Sequence, residues 1–389
     1  MIRKHLVGAV ALALAVSLSG LAAAAPKAHS SVATVVGAPE CGGAGFVEVL
    51  TPHIGRGFSC FHNVLDTFDG KAQSYARAMG LRPATAPVKC YGDGTTGPRI
   101  QMIYGYYAGL PNRSRTVIPQ FRTQMAPRMQ AVINAQSLGR DLGLRFAWTK
   151  GCGAIDVMVV QFPRSIQYDD DHPGDPYHQM TRMIKYLSTH GFTREDRKYQ
   201  VLFDGWNIGA CGIGETAEVA PEGVQVSSIP NDPLADGFPT LGARTDPGTL
   251  VHAGGQPIGS TKYSMVWNHA GGPQGPSCFN TQGISTVTPL LHELFHTLGA
   301  VQFDAPHANK TGHCDDAPSV MCPGQGPGYG GGVSNPSCRK VTVETLDCGM
   351  DDYWNPAPQV TAYLFSHLNI AKSQFFGPQP QDNLAASPS

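Results

Sequence analysis

Two histidines four residues apart, with a glutamate directly after the first, are the residues best placed to do chemistry: His292-Glu293-Leu294-Phe295-His296-Thr297-Leu298-Gly299. On a helix, residues four apart share one face, so both imidazoles can reach a single metal ion. Glu293 can lean over that ion and hold a water as general base. Gly299 allows a sharp backbone turn that a residue with a Cβ resists. A chance match on an apolar helix is the bland alternative, and the glycine at the third following position counts against it.

The flanks fit a helix with an apolar core side. Leu290, Leu291, Leu294 and Leu298 recur at helical spacing, with Thr288 as N-cap and Pro289 at the first helical position. Upstream, Arg99–Gly109 is rich in aromatic and β-branched residues and predicts a strand. Val117–Leu138 predicts a helix, with Phe121, Met125, Met129, Val132 and Ile133 on one side and a kink at Pro127. Leu144–Thr149 and Ala154–Phe162 predict strands, and Pro176–Leu187 a helix with Met180, Met183 and Ile184 inward. Lys198–Asp204 and Lys262–Asn268 complete the strands, with a loop-rich insertion at 205–261 between them. Gln359–Phe376 carries an apolar stripe and predicts a last helix, His367 on it being a core residue. The fold class is α/β (α+β): a mixed, twisted sheet backed by helices, the H-E-x-x-H helix among them.

Bulk properties narrow the function. The chain has 389 residues, with 28 basic and 29 acidic, so no basic excess points to a nucleic acid. Only 15% are charged, against roughly 25% in ordinary soluble domains, while 46 Gly and 31 Pro predict long irregular loops. Arg3 and Lys4, the apolar stretch Leu6–Leu21 and the small residues Ala22–Ala24 form a secretory signal peptide over 1–25. No later stretch approaches a membrane span. Secretion makes the ten cysteines disulfide candidates. Proximity suggests Cys41–Cys60, Cys90–Cys152, Cys211–Cys278, Cys314–Cys322 and Cys338–Cys348. Residues 26–88 read as an N-terminal extension or pro-segment, 89–376 as the main domain, and 377–389 as a disordered tail.

Beyond Gly299 come Gly299-Ala300-Val301-Gln302, Ala305-Pro306-His307, Gly312-His313-Cys314 and Ser319-Val320-Met321-Cys322. H-E-x-x-H-x-x-G, followed some twenty residues later by a Met in a tight turn, resembles the metzincin group of zinc peptidases. The wider pattern resembles secreted bacterial metzincin-like proteins. The resemblance spans residues 90–376, and its specific part is 292–322. It implies a zinc ion (Zn2+) on His292 and His296, a third ligand three residues after the glycine, and Met321 in a turn beneath the metal. It also implies an extracellular zinc metalloendopeptidase acting on proteins or peptides, with Glu293 as catalytic base.

Two positions depart from the family pattern. Gln302 occupies the third-ligand register, and a carboxamide is a poor zinc ligand. Pro323 stands where many relatives carry a Tyr. The third ligand is then sought among Gln302, Asp304, His307 and His313. His307, whose backbone is set by Pro306, is favoured; His313, tied near the turn by Cys314–Cys322, competes. A rival metallopeptidase class would take Glu344 instead, but Asp347 stands one position too early for its pattern. Asp169, Asp170, Asp171 and Asp175, and the Asp351–Asn355 segment, suit calcium (Ca2+) by donor type, although a solvated loop and a capped loop explain them more simply. The alternative to an enzyme is a secreted binding protein on a zinc-stapled scaffold; such a site needs no base, and Glu293 speaks against it.

Overall fold

Alternation of apolar side chains on both strand faces builds the centre of the molecule. The computed structural model describes residues 85–168, 174–194, 196–208, 211–215, 263–275, 277–279, 287–302, 305–308, 312–315, 319–322 and 345–378, with four short strands besides. Those strands form two hairpins, β1 (Phe46–Leu50) with β2 (Phe58–His62) and β8 (Val251–His252) with β9 (Gln256–Pro257). The signal-peptide expectation, the Cys41–Cys60 pair, Asp169–Asp171, Asp304, Cys338, Glu344 and the tail beyond 378 lie outside the described residues.

The main sheet joins β5 (Val157–Phe162), β3 (Arg99–Tyr107), β6 (Arg197–Asn207), β10 (Tyr263–Ala270) and β7 (Gly212–Gly214), in that order. The first four run parallel and β7 runs antiparallel to β10. Ile103, Val201, Phe203 and Met265 point to one face, where Met180, Met183, Ile184 and Leu187 of α3 (Pro176–Thr189) cover them. Met102, Tyr104, Leu202 and Val266 point to the other. There they meet α1 (Ser114–Gln120), α2 (Ala126–Ala135) and α4 (Val287–Thr297), the H-E-x-x-H helix. This is the mixed α/β sheet backed by helices that the sequence predicts. A sheet covered on both faces must be apolar on both, as parallel strands usually are.

The helix expected over 117–138 is α1 and α2 joined by a π-helical turn, Phe121–Met125, in which the Ala126 N–H donates to the Phe121 carbonyl. The disturbance expected at Pro127 thus falls one turn earlier, and Pro127 itself sits at the start of α2, where its missing N–H is harmless. Asp204, at the carboxyl end of β6, accepts from Tyr104 Oη at 2.7 Å, Arg113 Nε at 2.7 Å and Asn268 Nδ2 at 3.0 Å. It ties the head of α1 to three strands.

Two expected elements are corrected. Residues 144–149 do not form a regular strand: only β4 (Gly143–Leu144) pairs, with β11 (Phe376–Gly377), while Phe146 and Trp148 make single bridges to Ile100 and Ile155. The reason is competition, because β5 takes the same edge of β3 from Met102 onward. The last helix over 359–376 shrinks to one turn, α5 (Tyr363–Ser366), followed by a 3₁₀ turn at Ile370–Lys372. His367 is extended (φ −112°, ψ 174°), and the Asn369 side chain accepts the Ala371 N–H at 3.2 Å in place of a helical carbonyl. Leu364, Leu368, Ile370 and Phe375 are buried nonetheless.

Disulfides join Cys90 to Cys152, Cys211 to Cys278 and Cys314 to Cys322, as proximity suggests. Cys348 is also disulfide-bonded. Among the described residues, no helix is long and apolar enough to cross a membrane.

Candidate metal centre

The sheet positions α4 through polar as well as apolar side chains. Lys198 and Gln200, two apart on β6 and so on one face, are both buried. Lys198 Nζ donates to the Thr297 carbonyl at 2.6 Å, and Gln200 Nε2 to the Leu290 carbonyl at 2.6 Å. A cation on the last carbonyls of a helix satisfies them and complements the helix dipole. On the opposite flank β7 rides directly on α4. A Cβ on Gly212 would stand 2.4 Å from Glu293 Cγ, and one on Gly214 would stand 2.6 Å from the Glu293 carbonyl oxygen. Only glycine lets the two elements approach this closely.

Helix α4 ends as the spacing predicts. Gly299 adopts φ +92°, and the Ala300 N–H donates back to the Phe295 carbonyl at 3.1 Å. Gln302, in the third-ligand register, is buried and turns its amide inward, Nε2 donating to the Gly299 carbonyl at 2.5 Å.

His292 and His296 are brought together, and the third histidine beside them is His313. His292 Nε2 lies 3.0 Å from His313 Nε2 and 3.1 Å from His296 Nε2. All three residues are buried. His307 is placed elsewhere, next to Asp351 and Asp352. The local cause is closure of the 305–322 segment. The Cys314–Cys322 bridge, the Cys314 N–H to Met321 carbonyl bond at 3.1 Å and the Ala308–Cys314 bridge fold it back. His313, adjacent to the disulfide, is thereby carried over the helix. The sequence favours His307 over His313, whereas the structure groups His313 with the pair; the disulfide next to His313 was the usable signal.

A turn at Ser319–Cys322 passes under the histidines, with Met321 wholly buried. Its Val320 carbonyl lies 2.8 Å from His292 Nδ1. A carbonyl can only accept, so Nδ1 carries the proton and Nε2 presents its lone pair toward the other two rings. Tyr353 Oη accepts the Met321 N–H at 3.3 Å and donates to the Leu346 carbonyl, bracing the turn from below.

Three buried imidazole nitrogens converging on one point suit a divalent transition metal. Nitrogen pairs in a tetrahedral zinc site stand about 3.3 Å apart, from bond lengths near 2.05 Å, close to the spacing here. Glu293 is buried beside them, and burial lifts its carboxyl to about 8, against the opposing field of His292. Besides metal binding, the arrangement can position a base next to a Lewis acid.

No family model matches the chain, and no curated protein matches it. Among solved structures, the crystal structure of metalloproteinase-II from Bacteroides fragilis is similar over 73% of this chain and 71% of that chain, at 14% identity and a TM-score of 0.24. A likeness that slight leaves the functional reading to the site itself.

Proposed function

We propose that the protein is a secreted, zinc-dependent metalloendopeptidase of metzincin type, with His292, His296 and His313 as the metal ligands and Glu293 as the catalytic base. The observation that carries this reading is the convergence of three buried imidazole nitrogens beside a buried glutamate. The buried Met321 in a tight turn beneath them supports the metzincin comparison. Relative to the spacing argument, His313 takes the role first given to His307.

Zinc held by these nitrogens would polarise a carbonyl and bring the pKa of a water toward about 7. The Glu293 carboxylate takes a proton from that water on one Oε and passes it to the departing amine, and burial strengthens it as a base. The Val320 carbonyl fixes the His292 tautomer, a role that outer partners of metal-bound histidines commonly play. Strand β7 offers a peptide backbone a pairing partner, since among the described residues it is the edge of the sheet next to Glu293. The N-terminal apolar segment and the disulfides favour an extracellular setting.

Digestion of a peptide library by the purified mature protein, with and without chelator, tests the reading. Chelator-sensitive cleavage is expected. Glu293→Ala should keep its zinc and lose on the order of 10²–10⁴-fold in turnover. Loss of zinc in that variant, or no cleavage by the wild type across the library, overturns the proposal.

A further inference from the structure

The histidine that stands apart from the metal centre has its own carboxylate partners. The His307 N–H donates to Asp352 Oδ1 at 2.8 Å, and His307 Nδ1 lies 3.2 Å from Asp352 Oδ2 and 3.7 Å from Asp351 Oδ1. One ligand atom from each residue falls within 4.8 Å of the others. The three come from segments 45 residues apart in the chain, so their meeting is a product of the fold and not of local sequence.

Asp352 is 0% exposed, while His307 and Asp351 sit at the rim with side chains 20% and 38% exposed. Asp351 Oδ1 is nevertheless sealed from solvent and, among the described residues, accepts no hydrogen bond. A carboxylate oxygen removed from water with no donor is costly, and the Asp352–His307 pair by itself leaves that cost standing. A cation between the three groups would remove it.

We propose that His307, Asp351 and Asp352 form a second metal site, distinct from the His292 cluster, that takes a zinc ion. One imidazole nitrogen with two carboxylate oxygens suits zinc, whereas calcium takes oxygen donors. The site is pre-shaped by Asp347, whose Oδ2 accepts the N–H groups of Asp352, Tyr353 and Trp354 at 3.0, 2.8 and 2.9 Å. Rim exposure gives the ion a path in.

Such an ion has structural work to do. The His307 carbonyl accepts the Asp315 N–H at 2.9 Å, and Ala308 bridges Cys314, so His307 anchors the loop that ends in His313. The Asp347–Tyr353 segment braces the Met321 turn. A zinc on His307, Asp351 and Asp352 would pin that loop to that brace. The proposal stands on this geometry and not on the peptidase reading.

The test is titration of chelator-treated mature protein with Zn2+, followed by calorimetry and metal analysis. Wild type should take two equivalents. Asp351→Asn and His307→Gln should each lose one, and the His292→Ala/His296→Ala double variant should retain one. Asp351→Asn keeps the test decisive if His307→Gln fails to fold, because among the described residues Asp351 Oδ1 accepts no hydrogen bond that folding would miss. A single wild-type equivalent that Asp351→Asn retains would reduce the cluster to a hydrogen-bonded Asp–His pair and overturn the proposal. A folded double variant that takes no zinc would overturn it as well. A single equivalent lost in Asp351→Asn but kept in the double variant would sustain this site and overturn the peptidase reading instead.

Discussion

Gly212 lies against Glu293 with no room for a side chain: a Cβ there would stand 2.4 Å from Glu293 Cγ and 2.5 Å from Oε1. Glu293, the proposed base, is therefore held in place by the β7 backbone. Gly212→Ala should push the carboxylate aside, lowering kcat while zinc content is unchanged, and overpacking of this kind typically costs about 1–3 kcal/mol of stability. Kinetics with metal analysis on the same preparation check it. An alanine variant with wild-type kcat would mean that Glu293 has slack.

Replacing His313 by Ala should weaken zinc binding at the His292 cluster by more than the 10–100-fold typical of losing an outer partner. Gln302→Ala should leave affinity nearly intact and lower stability by about 1 kcal/mol, since its amide closes the helix end. Zinc competition against a chelator of known affinity, run in an Asp351→Asn background, distinguishes the two. The reverse ranking would make Gln302, and not His313, the third ligand and overturn the proposed set.

For the metal-free protein, Glu293 makes a pH prediction. Its folded carboxyl is lifted to about 8 by burial, above the ordinary value of 4.5. The unfolded chain therefore releases this proton first. The stabilising contribution of the protonated form is full below about 4.5 and disappears as pH rises through about 8. Glu293→Gln, which cannot ionise, should gain stability relative to wild type across that window. Denaturant melts of chelated protein at pH 5 and pH 8.5 measure the difference; a constant gap between the two variants would refute the buried-carboxyl assignment.

Lys198→Met should destabilise by about 1–3 kcal/mol, because it leaves the Thr297 carbonyl buried without its cationic donor. Lys198→Arg should restore part of the loss. Urea midpoints for the three proteins give the result. A neutral methionine variant would show that apolar packing alone fixes the helix end.

The helix and its two histidines were legible because everything needed lies within eight residues, His292 to Gly299: the period, the glycine and the acid. The long strands were legible for a similarly local reason, β3 for instance as a run rich in aromatic and β-branched residues. What the sequence hid depends on distance. Whether His307 or His313 joins the pair is decided by the Cys314–Cys322 closure and by Asp352, 45 residues beyond His307. Strand β7 escaped because Gly212-Ile213-Gly214 has the composition of a loop and pairs only through its backbone with β10. The terminal helix failed because Asn369 offers a side-chain acceptor where a helix needs a carbonyl, and no periodicity of Leu364 or Phe375 reveals that competition.

The register of the sheet also sets a timetable for folding. Ile103 lies beside Val201, and Val201 beside Met265, so each central pairing closes a loop of many tens of residues before it returns any burial. Lys198 and Gln200 can grip α4 only after β6 is seated, and Gly212 can rest on Glu293 only after β10 has brought β7 with it. Parallel neighbours this far apart make folding slow, and the histidine cluster becomes one of its last products. The two histidines of the helix come together early through local spacing, but His313 arrives only with the finished scaffold, so an ion held by all three, as proposed, would report completion of the fold and not initiate it.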